Sequence, residues 1–69
     1  IYPNPTRNSF ALSADVTHVE IYSITGQLIK TFSDVISNQQ LDITNLETGM
    51  YLIKIETNQE TYIQKIIKK

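Results

Sequence analysis

The sequence predicts an all-β domain, a small antiparallel sandwich or barrel of about six strands. Three observations predict it. Apolar residues alternate with a period of two along four separate runs, where a helix would need 3.6. Those runs are rich in β-branched and aromatic residues, which suit a pleated, half-buried surface. Turn-forming residues stand between the runs at short spacings.

The elements follow in order. The stretch "YPNP" places Tyr2, Pro3, Asn4 and Pro5 ahead of the first strand. Each proline holds φ near about −65° and lacks a backbone donor, so this stretch cannot pair as an inner strand. Asn4, before Pro5, is biased to extended geometry. It reads as a stiff lead into a strand at 8–13. A second strand at 17–23 alternates Val19 and Ile21 against His18, Glu20 and Tyr22. Thr25-Gly26 then forms a tight hairpin, because Gly reaches φ > 0 at little steric cost. A third strand at 27–33 sets Leu28, Lys30 and Phe32 on one side and Ile29 on the other. Residues 33–38 read as a loop that tucks Val35 and Ile36 inward. A fourth strand is expected at 39–44. The following "TNLETGM" is a longer connection, with Gly49 at a bend or close backbone approach. The fifth strand, 50–57, alternates Tyr51, Ile53 and Ile55 against Met50, Leu52, Lys54 and Glu56. A short loop follows, with Asn58 as its left-handed residue. The sixth strand, 61–68, sets Ile63, Lys65 and Ile67 against Tyr62 and Ile66. No helix is expected: Leu41 and Leu46 have no helical spacing, and the Thr and Asn between them disfavour one.

Composition bounds the function. At 69 residues the chain is one domain. It buries only roughly 60% of the surface its unfolded form exposes, so its stability is marginal. With no Cys there is no disulfide, no thiolate catalysis and no Cys-based zinc site. A net charge of −1 gives no basic footprint for nucleic acid. No apolar run approaches the roughly 18 residues of a membrane-spanning helix. The chain starts at Ile1 without a charged-then-apolar leader, so it is expected to be a piece of a longer protein.

Catalytic chemistry finds few candidates. His18 is the one histidine, and on a strand it shares a face with Glu20, as a solvated pair or a weak cation site. Asp15, Asp34, Asp42 and Glu47 fall at strand ends or in loops, where carboxylates cap turns. Neither a calcium loop nor a phosphate-cradling glycine loop is present. No catalytic or metal-ligating residue is therefore assigned, and no cofactor. The tyrosines at 2, 22, 51 and 62 either bury their rings with hydroxyls at the edge, or line a carbohydrate or peptide surface. The tail "IQKIIKK" clusters Lys65, Lys68 and Lys69, as lysine protection of an edge strand or as a handle for a receptor.

The order of the motifs adds a resemblance. "YPNP" is followed by "VEIYSITGQLI" at 19–29, "LDITNLETGMYLIKI" at 41–55 and a basic end. Together they closely resemble the C-terminal sorting domain of proteins exported by type IX secretion. Tyr2, Pro3, Asn4 and Pro5 match its first block, Tyr22 and Gly26 its second, Gly49 and Tyr51 its third, and Lys65, Lys68 and Lys69 its end. Glu47-Thr48 departs from it where a proline before the glycine is common, which affects turn rigidity.

The resemblance implies an immunoglobulin-like antiparallel β-sandwich of about six to seven strands, occupying residues 1–69. It implies a secretion signal carried behind an N-terminal cargo domain. The cargo transits the periplasm, crosses the outer membrane through the type IX translocon and reaches the cell surface or the medium. A sortase-like peptidase removes the signal, so the domain is a substrate and not an enzyme. Lys65, Ile66, Ile67, Lys68 and Lys69 are the expected receptor-reading residues. The rival reading is a carbohydrate-binding or adhesion module, which would show an exposed aromatic platform. Exposed edges in a sandwich this small also allow weak self-association.

Overall fold

The computed structural model describes residues 8–69. Six strands run in the order β1 (Ser9–Phe10), β2 (Val16–Ser23), β3 (Leu28–Val35), β4 (Leu41–Asp42), β5 (Gly49–Glu56) and β6 (Thr61–Lys68). They form a four-stranded sheet, ordered β3-β2-β5-β6, and a two-stranded sheet, β1-β4. Every pairing among the described residues is antiparallel. The stretch Tyr2, Pro3, Asn4 and Pro5 lies outside the described residues.

The middle of the larger sheet is the β2–β5 pair, in register from His18 opposite Glu56 to Ser23 opposite Tyr51. Its inner face is the alternation read from the sequence: Val19, Ile21, Tyr51, Ile53 and Ile55 are buried. One apolar cluster joins this face to Phe10 and Leu41 of the smaller sheet, and to Leu12 and Ile43 beside it. Ile66 supplies the contribution of β6.

Two strands are shorter than expected. β1 keeps two of the residues in 8–13, because Phe10, Ala11 and Leu12 are all buried. Three consecutive inward side chains are incompatible with a pleat, in which neighbours alternate. β4 likewise keeps Leu41–Asp42. Its ladder stops where Asp42 Oδ1 accepts from the Thr44 amide at 2.9 Å and starts a turn.

β3 differs most. Ile21 pairs with Lys30, but Tyr22 pairs with Leu28, so Ile29 is an extra, bulged residue. A one-residue shift reverses the faces of everything beyond it. Leu28 therefore sits opposite Tyr22 on the outer face, 48% exposed, and does not join Lys30 and Phe32 inside. At its other end β3 runs on through Asp34, at φ 52°, to Val35. Val35 pairs with Val16 and is buried, whereas Ile36, expected inside, is 62% exposed. Lys30 points inward from this outermost strand. Its Nζ donates to the Asp42 carbonyl at 2.8 Å and stands 5.3 Å from the Phe32 ring centre, tying the two sheets together.

The two hairpins are built differently. Between β2 and β3 the connection is Ile24, Thr25, Gly26 and Gln27, one residue longer than the expected 24–26. The Gly26 amide donates to the Ser23 carbonyl at 3.0 Å, and the Ser23 amide to the Gln27 carbonyl at 2.9 Å. This is a turn closed by a left-handed residue, and Gly26 takes φ 96°. Between β5 and β6, Asn58 is not left-handed; positive φ outside glycine falls at Asp34 and Asn38 among the described residues. Thr57 Oγ1 accepts from the amides of Gln59 at 3.2 Å and Glu60 at 3.0 Å. That hydroxyl holds the turn, which removes the need for a left-handed residue.

Two substitutions test this frame. Ile53→Ala should cost about 3 kcal/mol by leaving a cavity in the core. Gly26→Val should cost about 1–2 kcal/mol through backbone strain alone. Urea melts would read both, and an unchanged midpoint for either contradicts the role given to that residue.

Candidate functional site

The motif residues separate along the sequence but converge in the sheet. Tyr22, Leu52 and Lys65 stand side by side across β2, β5 and β6 on the outer face. The next row, on the inner face, is Ser23, Tyr51 and Ile66. Beyond it Gly49 pairs with Lys68. The Gly26 turn caps the same end of the sheet. Three of the four blocks thus meet where β6 terminates.

Each residue has a definite place there. Tyr51 is buried, and its hydroxyl donates to the Glu47 carbonyl at 2.6 Å. This bond pins the connection before β5 to the strand four residues on, the arrangement of a tyrosine corner. Gly49, the first residue of β5, has φ 151°, which a side chain would strain even though the space around it is open. Tyr22 is half-buried and donates to Glu20 Oε1 at 3.0 Å. The carboxylate accepting from it pushes that phenol above its ordinary pKa.

The tail residues divide. Lys65, Ile67 and Lys69 are exposed, while Ile66 is fully buried and Lys68 only 7% exposed. The basic cluster seen in sequence is therefore split between the two faces of β6. β6 ends the sheet order, next to β5.

The other half of the outer face carries a polar cluster, with the exposed Ile63 opposite Lys54. Glu20 lies 3.5 Å from His18 Nε2 and 3.8 Å from Lys54 Nζ, and Lys54 lies 3.4 Å from Glu56. Hydrogen bonding and charge from Glu56, with Glu20 behind it, raise the Lys54 pKa. His18 and Glu20 do share a face, and Lys54 is the cation beside Glu20. Among the described residues no group of three His, Asp or Glu is placed to hold a metal ion. Loop carboxylates cap turns: Asp15 Oδ1 accepts from the Ser37 amide at 2.7 Å, and Asp42 Oδ1 from the Thr44 hydroxyl at 2.5 Å. The described tyrosines form no common platform, since Tyr22 faces outward and Tyr51 inward. Tyr62, half-exposed and bonded to Glu60, instead walls an open groove of about 360 Å³ with Leu12 and Gln64.

Sequence reasoning missed the apolar side chains around this end. Ile24, Leu28 and Met50 are 67%, 48% and 45% exposed. The bulge that turns Leu28 outward has no signature in the residues themselves.

Comparison with known proteins decides the family. The model for the secretion system C-terminal sorting domain, the signal of type IX secretion, matches residues 1–69. The chain belongs to that family. A curated relative, an ulvan lyase of Nonlabens ulvanivorans, is 34% identical over 97% of this chain. The sorting domain spans 14% of that relative's length. No solved structure matches the chain.

Two outcomes test the local geometry. Tyr51→Phe should cost about 1 kcal/mol and lower Tm by roughly 5 °C, since only the bond to Glu47 is lost. Asp42 gives a pH test. Hydrogen bonds from the Thr44 hydroxyl and amide hold its carboxyl below the ordinary carboxylate range. A depressed folded-state pKa stabilises above the ordinary value, and the contribution fades as pH falls through the folded one. Thr44→Ala should therefore raise the Asp42 pKa towards its ordinary value and lower stability at neutral pH, so that less is lost on acidification. Carboxyl NMR titration reads the first effect and melts at neutral and acid pH the second.

Proposed function

We propose that residues 1–69 form a single domain, cut from a longer secreted protein, that addresses an N-terminal cargo to the type IX translocon. The observation that carries this reading is the convergence of the family's motif residues at one end of the sheet. The folded domain is taken up in the periplasm, and the cargo reaches the cell surface or the medium. A sortase-like peptidase then cuts upstream of the domain, which acts as a substrate and performs no catalysis. The ulvan lyase relative supports a secreted enzyme as the kind of cargo such a domain follows.

We read the architecture as an immunoglobulin-like sandwich. The core shared by the two sheets and the Tyr51–Glu47 corner support this. A preformed surface suits a signal that serves many cargoes, because little ordering entropy is lost when it is bound. The last strand and chain end, Lys65, Ile66, Ile67, Lys68 and Lys69, are the handle. Ile66 and Lys68 act from inside by holding the strand in place. Lys65, Ile67 and Lys69 meet the receptor, where the lysines steer the approach to an acidic surface.

A fusion of residues 1–69 to a periplasm-targeted fluorescent reporter should appear at the surface or in the medium of a type IX-competent cell. Folded reporter held in the periplasm would refute the reading. Deleting residues 67–69 should abolish export while Ile66 keeps the core closed. Export that survives the deletion shows that the chain end is not read.

A further inference from the structure

The chain end is too small to be the whole recognition surface. Of its last five residues, Lys65, Ile67 and Lys69 are the ones exposed. A specific protein contact usually covers about 800 Å² on each partner. The partner must therefore extend onto neighbouring strands, and the register decides which. Ile67 lies directly opposite Met50 on the outer face. Lys65 lies opposite Leu52, Leu52 opposite Tyr22, and Tyr22 opposite Leu28. A continuous strip thus crosses all four strands, and Ile24 stands exposed on the adjoining hairpin tip.

This strip differs from the rest of the same face. Towards the Glu56 end, His18, Glu20, Lys54 and Glu56 satisfy one another. Towards the chain end Leu28, Met50 and Ile67 are 48%, 45% and 44% exposed. On the charged half one aliphatic among the described residues is exposed, Ile63 opposite Lys54 at 71%, whereas three stand together at the chain end; apolar area grouped beside charged residues marks an interaction surface. The charges beside it are Lys65 and Lys69. Most acids lie at the opposite end: Asp15 and Asp34 flank the Val16–Val35 pair, and Glu56 and Glu60 flank the β5–β6 turn. Glu20, bonded to Tyr22, and Glu47, in the loop before β5, are the acids nearer the strip.

We infer that the outer-face strip carrying Leu28, Met50 and Ile67 docks, together with the chain end, on a receptor protein whose facing surface is apolar at its centre and acidic at its rim. The inference rests on the sorting-signal reading and extends it from a tail to a composite of four strands. A lipid surface fits less well, because juxtamembrane segments that hold anionic lipid carry about four to eight basic residues. Two exposed lysines stand here.

The reporter fusion tests this with three variants. The double variant Leu28→Ser, Met50→Ser should cut export at least about tenfold, the effect of one lost anchor contact. Its circular dichroism and melting temperature should stay close to those of the parent. Ile24→Ser, at a hairpin tip, should reduce export in the same direction and decides the matter if the double variant fails to fold. Ile36→Ser, equally exposed at the far end, should export normally. If the parent fusion is not exported, the sorting-signal reading itself fails. If the parent is exported and folded Leu28, Met50 and Ile24 variants match it, the composite surface is refuted. Sedimentation of the purified domain with phosphatidylglycerol vesicles, lost in the double variant while export is unchanged, would overturn it in favour of lipid.

Discussion

The pairing of β2 with β5 is the constraint on which the rest depends. Neither strand reaches the sheet's edge, and both carry β-branched residues on alternate positions. Their register from His18–Glu56 to Ser23–Tyr51 puts Val19, Ile21, Ile53 and Ile55 on one side. A slip of one residue would expose all four and bury Glu20 and Lys54, so the register has no near competitor. No disulfide is available to hold the chain if this pair fails. Everything else attaches to it: β3 on one flank, β6 on the other, and the small sheet beneath.

The parts legible in the sequence were those with strong period-two patterning. β2, β5 and β6 lie within a residue or so of the expected bounds, because alternation, turn residues and burial agree there. The parts that were not legible depend on contacts distant in sequence. Val35 is inward as expected, but on a strand and without Ile36, because Val16 stands opposite it, 19 positions earlier in the chain. β1 and β4 shrink because their apolar residues fill the core from irregular backbone, where alternation stops being a guide. Asn58 had the composition of a left-handed residue, but the Thr57 hydroxyl supplied another way to close the turn.

For the candidate site, the motif order carried more than any single residue. Gly26 and Tyr51 occupy positions that only their own chemistry fills: a left-handed backbone, and a buried ring whose hydroxyl reaches back to a carbonyl. The lysine tail was legible as basic but not as divided. Strand alternation hides Lys68 and displays Lys65 and Lys69, a consequence of parity along β6. The exposed aliphatic strip was invisible, because Leu28 reads as a core residue until the bulge at Ile29 reverses its face.

That bulge has a consequence beyond the face of one leucine. β3 is the outermost strand on its flank, and it carries three interruptions: the extra Ile29, the inward-pointing Lys30 and the left-handed Asp34. Each spoils the flat row of donors and acceptors that a second molecule would need to continue the sheet. Chains crowded together at micromolar or higher concentration expose such rows to one another, and fibrils grow by that route. The irregular flank makes β3 a dead end for polymer growth, so copies of the domain can share a crowded compartment without stacking into a common sheet along that side.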